Sequence, residues 1–442
     1  MDWREHYKRC LRSSEEAVSV IKSGDRIVSA HACSEPIDLY DALVARAPEL
    51  RDVEVVHLVP MGKGEYARPE YAGSFRHNSV FVGAPTREAV CDGRADFTPC
   101  HFHETPALFT EGYLPPDVAL VHLSPPDRHG WCSFGLSVDY TKPAALAARK
   151  IVAQVNPNMP RTHGDTFIHV TRLDAIVESS TPLLELPAPR IGAVAEAIGR
   201  NISELVRDGD CLQVGIGAIP EAVLRFLHDK KDLGIHSEMF SDGVVDLYEE
   251  GVVTNSRKTI HRDRLVATFL MGSRRLYDFV DDNPVVSMFP VSYTNNPYVI
   301  AQNDNVVSIN SALQVDLMGQ VVADTMGPRQ YTGVGGQVDF VRGAAASKGG
   351  RAIIALPSTA KCGTVSRIVA KISDGAAVTT MRADVDYVVT EHGVAHLKGK
   401  TLRERRRELL AIAQPEFRGL IEEDYGALCS AETAPSPASA GG

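Results

Sequence analysis

The chain has 442 residues, of which 44% are hydrophobic and 23% charged, and its formal net charge is −10. This length exceeds one ordinary core and predicts two domains of roughly 200 residues each. The acidic balance argues against a nucleic-acid partner held on a basic face, although a local pocket on an acidic protein can still attract a small anion.

The amino-terminal segment and the cysteines predict the compartment. Residues 1–18 are charged and amphipathic, unlike a secretory signal, and no stretch approaches the roughly 18 apolar residues of a membrane helix. The 8 cysteines are scattered and none forms a CxxC pair, so neither a disulfide framework nor a zinc ribbon is predicted. We therefore expect a cytoplasmic protein with free thiols, no metal site and no membrane partner.

Short runs of β-branched residues alternate with helical patterns along the chain. Residues 53–59, 118–123, 306–310 and 351–357 are nearly continuous apolar runs bounded by turn residues. Such runs are typical of strands that are buried on both faces. The helical patterns between them predict an α/β fold with mainly parallel strands.

An internal repeat divides the chain into two halves. Residues 23–47 and 208–230 both read Gly-Asp, an apolar strand, a small-residue loop, a proline in the first helical turn and an amphipathic helix. The repeat predicts two similar α/β domains with a site in the cleft between them. We place these domains at 1–187 and 188–429, and we expect the Ser/Ala/Pro/Gly-rich tail at 430–442 to be disordered.

Two glycine-rich segments are candidate binding loops. In 213–223 (QVGIGAIPEAV), glycines end a predicted strand, and the next helix offers its N–H groups to an anion; a tight strand-to-helix turn has the same pattern. In 331–344 (YTGVGGQVDFVRGA), three glycines within four positions precede a strand-like QVDFV. Their unobstructed N–H groups suit a developing oxyanion, and a flexible surface loop is the alternative.

A lone acid, Glu238, stands in HSEMFSDG, a segment with few solubilising charges that follows the strand-like LGI. A carboxylate in a partly dry cleft can attack a carbonyl carbon and form a mixed anhydride. The alternative is a surface acid, which is what we expect of the nearby Glu249 and Glu250.

Two clusters of histidines lack the spacing of known metal sites. Cys100, His101 and His103 lie in CHFHET, and a second cluster lies in EHGVAH (391–396). Neither has a metalloprotease or zinc-finger pattern, so structural or hydrogen-bonding roles are predicted. The basic run RERRRELL (403–410) has interleaved glutamates and predicts a solvated helix face.

Several of these motifs, taken together, resemble the acetyl-CoA hydrolase/transferase family. The motifs are HSEMFSDGVVDLYEEGVVTN, SINSALQVDLMGQV, GVGGQVDFVRGA and TEHGVAHLKGK. The resemblance covers about residues 5–425 and is closest to the 4-hydroxybutyrate and butyrate:acetate CoA-transferases. It implies two open α/β/α domains with the active site in the cleft between them.

The resemblance also assigns functional residues. The family's nucleophilic glutamate falls on Glu238, and an amide that assists the oxyanion falls on Asn296, with Asn295 next to it leaving the assignment ambiguous by one residue. Contacts to coenzyme A are implied at Gln213, Val214, Gly215, Ile216, Gly217, Leu313, Gly333, Val334, Gly335 and Gly336.

The activity that the resemblance implies is a CoA-transferase. It would move coenzyme A between a short-chain acyl-CoA (butyryl-, 4-hydroxybutyryl- or acetyl-CoA) and a carboxylate such as acetate. The mechanism would be ping-pong through a glutamyl-CoA thioester on Glu238, with no tightly bound cofactor, and we expect a homo-oligomer. The alternatives are an acyl-CoA hydrolase on the same scaffold and a non-catalytic sensor of CoA esters. Candidates for the acyl pocket are His31, Met61, Gly62 and Tyr66.

Overall fold

The computed structural model describes residues 2–431, and its framework is a pair of β-sheets, one in each half of the chain. The strands of the first half are β1 (Arg26–Ser29), β2 (Val53–Val56), β3 (Phe75–Ser79), β4 (Asp96–Phe97), β5 (Val118–Leu123), β6 (Trp131–Ser133), β7 (Lys150–Val155), β8 (Phe167–His169) and β9 (Ala175–Glu178). Its helices are α1 (Trp3–Cys10), α2 (Ser14–Val18), α3 (Ile37–Ala45), α4 (Arg87–Cys91), α5 (Thr105–Thr110) and α6 (Thr141–Ala147).

The second half is richer in short strands. They are β10 (Cys211–Val214), β11 (Gly234–Ile235), β12 (Leu265–Ala267), β13 (Val286–Met288), β14 (Val306–Ser311), β15 (Gln314–Asp316), β16 (Val321–Val322), β17 (Thr325–Met326), β18 (Arg329–Gln330), β19 (Arg351–Ala355), β20 (Thr359–Ala360), β21 (Val365–Ser366), β22 (Ile368–Val369), β23 (Tyr387–Thr390) and β24 (Gly393–His396). The helices are α7 (Ala193–Ser203), α8 (Ala218–Arg225), α9 (Asp242–Glu249), α10 (Arg274–Val280), α11 (Val291–Thr294), α12 (Pro297–Ile300), α13 (Gln337–Ala346), α14 (Leu402–Ile412) and α15 (Arg418–Ala431).

In both main sheets the first strand of the half lies between the next strand of the chain (β2 or β11) and a later strand (β5 or β14). The first sheet runs β4-β3-β2-β1-β5-β7-β9 with every pair parallel. The second runs β11-β10-β14-β19-β23-β24 and is parallel except for β24. The strands β1 and β10, which the repeat in the sequence aligned, occupy matching places beside β5 and β14. The prediction of two similar α/β halves is therefore confirmed.

Alternating side chains of each strand enter different hydrophobic cores, as the period of a strand requires. Ile27 of β1 belongs to an outer core under α2 and α3, whereas Val28 belongs to a central core. Likewise Cys211 of β10 belongs to an outer core with α13 and α14, and Leu212 belongs to the same central core. The central core thus lies between the inner faces of the two sheets and joins the halves.

The predicted boundary between the two domains falls in a segment without helix or strand. Residues 179–192 contain no helix or strand, and the predicted division at 187/188, which falls among them, stays a prediction. The tail was predicted to begin at 430, but α15 continues to Ala431, so residues 430 and 431 are helical. The rest of the predicted tail, 432–442, lies outside the described residues.

The segment QVDFV (337–341) was predicted to be strand-like, and this prediction is wrong. It forms the first half of α13, which begins directly after Gly336. Phe340, Val341 and Ala344 face the outer core at helical spacing, so packing outweighs the β-propensity of the valines. Between residues 2 and 431, no helix has the length and apolar character needed to span a bilayer.

Candidate active site

The backbone of Glu238 is fixed at the carboxyl end of the second sheet. It follows β11, and His236 continues the strand by pairing in parallel with Val266 of β12. The carbonyl oxygen of Glu238 accepts hydrogen bonds from the N–H groups of Thr268 (2.9 Å) and Phe269 (3.3 Å). The carboxyl ends of parallel strands are where open α/β sheets bind ligands, and Glu238 lies at such an end.

The carboxylate of Glu238 is held between two donors and lies in a low-dielectric surrounding. The amide Nδ2 of Asn295 donates to Oε2 over 2.8 Å, and the backbone N–H of Gly336 faces the same carboxylate. Burial raises the pKa of Glu238 to about 7, against the hydrogen bond from Asn295 that lowers it. The negative charges of Asp339 and Asp139 contribute to this raised pKa, and the Gly336 N–H opposes it.

A cavity of about 400 Å³ opens beside this carboxylate and is lined by both halves of the chain. The first half contributes His31, Val80, Phe81, Cys100 and Phe102. The predicted site residues in its wall are Gln213, Gly215, Ile216, Glu238, Gly333, Val334, Gly335 and Gly336. The structure therefore brings the two glycine-rich segments and the lone acid to one place, although they are far apart in sequence.

Two glycines of the second glycine-rich segment leave no room for a side chain. A Cβ on Gly336 would lie 2.1 Å from Oε2 of Glu238 and 2.4 Å from Nδ2 of Asn295. A Cβ on Gly333 would lie 2.9 Å from the Cα of Phe81 in the other half. The loop therefore fits tightly between the carboxylate and the first half of the chain, and Gly336 passes directly into helix α13.

The assignment of an active-site amide to Asn296 is wrong, because its side chain is used elsewhere. Its Oδ1 accepts a hydrogen bond from the N–H of Tyr298 over 2.9 Å and caps the amino end of α12. The fully buried Asn295, one residue earlier, is the amide that contacts Glu238. The ambiguity between the two amides is thus resolved in favour of the neighbour.

Three of the predicted coenzyme A contacts do not line this cavity. Val214 is buried in the central core. Gly217 and Leu313 line a second cavity of about 460 Å³, which shares Ile216 and Ser311 with the first. The two cavities are therefore neighbours along the turn that follows β10.

Of the four candidates for an acyl pocket, one lines the cavity and three do not. His31 lines the first cavity, with Nε2 2.7 Å from the Asp139 carboxylate. Met61 and Gly62 instead lie where their N–H groups donate to Glu35, and Tyr66 is buried against His57. These three residues do not line the cavity.

Sequence reasoning missed the aromatic and sulfur-containing wall of the cavity. Phe81, Phe102, Met239, Phe269 and Met271 line it. In the sequence these residues are ordinary apolar positions of a core, and no signal separates them from the many apolar residues that only pack.

The histidine clusters make hydrogen bonds, as predicted. His103 bonds to Asp339 across the two halves, and Nε2 of His392 lies 2.7 Å from Oε1 of Gln414. The ring of His396 stacks on Tyr387.

Two α/β halves with mainly parallel sheets share a cavity lined by a half-buried carboxylate, an arrangement typical of a two-domain enzyme with its site between the domains. Residues 1–185 match the Acetyl-CoA hydrolase/transferase N-terminal domain and residues 272–425 match the Acetyl-CoA hydrolase/transferase C-terminal domain. The chain belongs to this family, and the resemblance in the sequence is confirmed.

Similar proteins narrow the class further. The chain is 58% identical to 4-hydroxybutyrate coenzyme A transferase of Clostridium kluyveri over 425 residues, which is 96% of this chain and 99% of the relative. It is 36% identical to butyryl-CoA:acetate CoA-transferase of Anaerostipes caccae, covering 96% of this chain and 97% of that protein. The structure of RipA from Yersinia pestis superposes with a TM-score of 0.93 at 41% identity, over 97% of this chain and 100% of that one. The protein is an enzyme of the CoA-transferase type.

Proposed function

We propose that the enzyme transfers coenzyme A between a short-chain acyl-CoA and a free carboxylate such as acetate, through covalent intermediates on Glu238. The observation that carries this proposal is the Glu238 carboxylate itself, which lies in the wall of a cavity between an amide donor and a glycine N–H. A carboxylate in this position can act as a nucleophile. Because one thioester is exchanged for another, the reaction needs no metal or nucleotide to conserve the energy of the thioester bond.

The chemistry proceeds by two acyl exchanges in each half-reaction. Glu238 attacks the thioester carbonyl, the C–S bond breaks, and an acyl-glutamyl anhydride and the CoA thiolate result. The thiolate then attacks the glutamyl carbonyl, which releases the acyl group as its carboxylate and leaves a glutamyl-CoA thioester. The second carboxylate reverses these steps and departs as the new acyl-CoA.

Each exchange passes through a tetrahedral oxyanion. Because the Asn295 amide and the Gly336 N–H already face the carboxylate of Glu238, they are positioned to stabilise the oxyanions that form at its carbon. Gly336 is the N-cap of α13, so the positive end of the helix dipole points to the same place.

Glu238 must be ionised to attack, yet water must be excluded from the site, and burial opposes ionisation. The pKa of Glu238 is about 7, so a large share of the side chains is ionised at neutral pH. The apolar wall formed by Phe81, Phe102 and Phe269 keeps water from the anhydride and the thioester.

The size of the substrate is supported by the cavity and by the relatives. A cavity of about 400 Å³ holds a short acyl chain together with the thioester end of the pantetheine arm. The relatives named for 4-hydroxybutyrate and for butyryl-CoA and acetate support butyryl, 4-hydroxybutyryl and acetyl groups as candidates. We assign the remainder of coenzyme A to the second cavity, lined by Gly217 and Leu313, because it adjoins the first at Ile216 and Ser311.

The test is a search for the covalent adduct on Glu238. Incubation with butyryl-CoA alone should yield a peptide carrying coenzyme A at this residue, detected by mass spectrometry. Glu238→Gln should lose the adduct and reduce transfer to acetate by about 10⁴-fold or more. The control is Glu249→Gln, which removes an exposed acid paired with Arg275 and should leave transfer unchanged.

The same experiment separates the alternatives. A hydrolase would release butyrate at a rate that acetate does not affect. A CoA-ester sensor would bind butyryl-CoA without turnover. An unmodified Glu238 peptide together with full transfer activity would refute the proposal.

A further inference from the structure

One ion pair outside the reacting groups connects the two halves next to the active site. His103, in the 3₁₀ turn Phe102–Glu104 of the first half, meets Asp339 of α13 in the second half. Its backbone N–H donates to Oδ2 of Asp339 over 3.1 Å, and its ring Nδ1 lies 2.7 Å from Oδ1. Asp339 is only 1% exposed, so its carboxylate lies away from solvent. His103 contacts both of its carboxylate oxygens.

The position of Asp339 gives this contact its importance. Asp339 stands three residues after Gly336, in the first turn of the helix whose amino end faces Glu238. A second contact supports the same loop, because Arg87 donates from Nε to the carbonyl of Tyr331 over 2.8 Å. The His103 contact, by comparison, holds a residue in the first turn of α13 itself.

The charges of the pair also reach the nucleophile. The negative charge of Asp339 raises the pKa of Glu238. Burial lowers the pKa of His103, but the hydrogen bond and the charge of Asp339 outweigh burial and raise it. A protonated His103 therefore places a positive charge beside Asp339, whose own negative charge disfavours ionisation of Glu238.

Other charged groups around the pair are few. Oε1 of Glu104 lies 3.8 Å from Nε2 of His103 and favours its protonated form. Arg342, one turn further along α13, opposes protonation of His103. The ring of His101 stacks on His103 at 6.1 Å, and Asp139 is a further acid that acts on Glu238.

We propose that His103, as an imidazolium, is a positioning residue: it holds Asp339, and with it Gly336 and the amino end of α13, against Glu238, and it offsets the charge of Asp339 beside the nucleophile. The inference rests on the proposed function of Glu238. His103 would then be a residue of the first half of the chain that supports the active-site groups of the second half.

The test is the pH dependence of kcat/KM for transfer from butyryl-CoA to acetate. Since the pKa of Glu238 is about 7, the wild-type value should fall as the pH drops through this region, where the carboxylate becomes protonated. His103→Asn keeps a donor at the position of Nδ1 but removes the charge, so this acid limb should move up by roughly 0.5–1 pH unit. Asp339→Asn removes the acid, so the limb should move down by a similar amount.

The control is His101→Asn, which changes the neighbouring imidazole but not the contact with Asp339, and its profile should match the wild type. A merely structural role for the pair predicts lower kcat at every pH and a lower melting temperature, with the acid limb unmoved, and this result would overturn the inference.

The outcomes also separate this inference from the proposed function. If Glu238→Gln retains full transfer, the nucleophile is wrongly assigned, whatever His103 does. If Glu238→Gln is inactive while the acid limbs of His103→Asn and Asp339→Asn both coincide with the wild type, only the role of His103 is refuted.

Discussion

At the scale of single residues, the site depends on which of two adjacent amides faces the acid. Asn295 has helical backbone angles at the end of α11, whereas Asn296 is extended at the start of α12. Because the backbone conformation changes between the two residues, the amide of Asn295 reaches Glu238, whereas the amide oxygen of Asn296 accepts from the N–H of Tyr298. Of these adjacent residues of the same type, one therefore contacts Glu238 and the other caps a helix.

This pair makes a matched prediction. Asn295→Ala removes a donor to the reacting carboxylate and should reduce kcat by about 10²–10³-fold. Asn296→Ala removes a helix cap and should cost about 1 kcal/mol of stability with little change in kcat. Steady-state kinetics and thermal melting of both variants check this, and the reverse pattern would return the catalytic role to Asn296.

The amides also show a limit of reasoning from sequence. The acid itself could be predicted, because a lone carboxylate in a segment poor in charge is unusual. The choice between Asn295 and Asn296 depends on backbone angles at the junction of two four-residue helices, and those angles are set by the packing of the whole second half. No local pattern carries that information.

At the scale of elements, the glycine loop and α13 form one unit. Gly336 has no side chain where the loop passes Glu238, its backbone N–H faces the carboxylate, and α13 begins at the next residue. Reading QVDFV as a strand missed this helix end, although the glycines before it do line the cavity between the halves.

Gly336→Ala should therefore inactivate the enzyme without unfolding it. The new Cβ would lie 2.1 Å from Oε2 of Glu238, so the carboxylate must leave its donors, and we expect a loss of at least about 10²-fold in kcat/KM. Gly419→Ala is the control, because a Cβ there, on α15, has no atom within 4 Å, and activity should be unchanged. Kinetics together with melting curves provide the measurement; a fully active Gly336→Ala would contradict the described geometry.

The repeat of β1 and β10 was the element most accessible to sequence reasoning. Gly-Asp, an apolar run and a small-residue turn recur at both places because each half needs a buried central strand that ends at a helix. The very short strands β15 to β18 and β20 to β22 escaped prediction. Each has only two or three residues, so no periodicity develops in them.

At the scale of the whole molecule, the two cavities have different electrostatic characters. Among residues 2–431, neither Lys nor Arg lines the cavity at Glu238, and Arg367 is the one such residue in the lining of the second. Its Nη1 donates to the carbonyl of Ala312 over 3.3 Å, and its Nε is buried without a partner. On a chain with a net charge of −10, we expect this guanidinium to contact the phosphates of coenzyme A if the second cavity binds that part of the substrate.

Arg367→Gln should weaken binding of butyryl-CoA but not of butyryl-pantetheine, which lacks the phosphates. A charged hydrogen bond contributes about 1.5–3 kcal/mol, so KM for butyryl-CoA should rise about 10-fold or more, with kcat nearly unchanged. Arg172→Gln is the control, because Arg172 is exposed in the first half and lines neither cavity. An equal rise in KM for both substrates would show that Arg367 acts on the structure of the cavity instead.

Packing of Gly333 against Phe81 has a consequence for product choice. On the proposed mechanism, an anhydride or thioester on the enzyme is either transferred to a carboxylate or lost to water, and the ratio of the two outcomes is the fidelity of a turnover. The loop belongs to one half and Phe81 to the other, so the contact that would keep water out joins the two halves. We therefore expect a substitution that loosens this contact to shift transfer towards hydrolysis while leaving Glu238 in place.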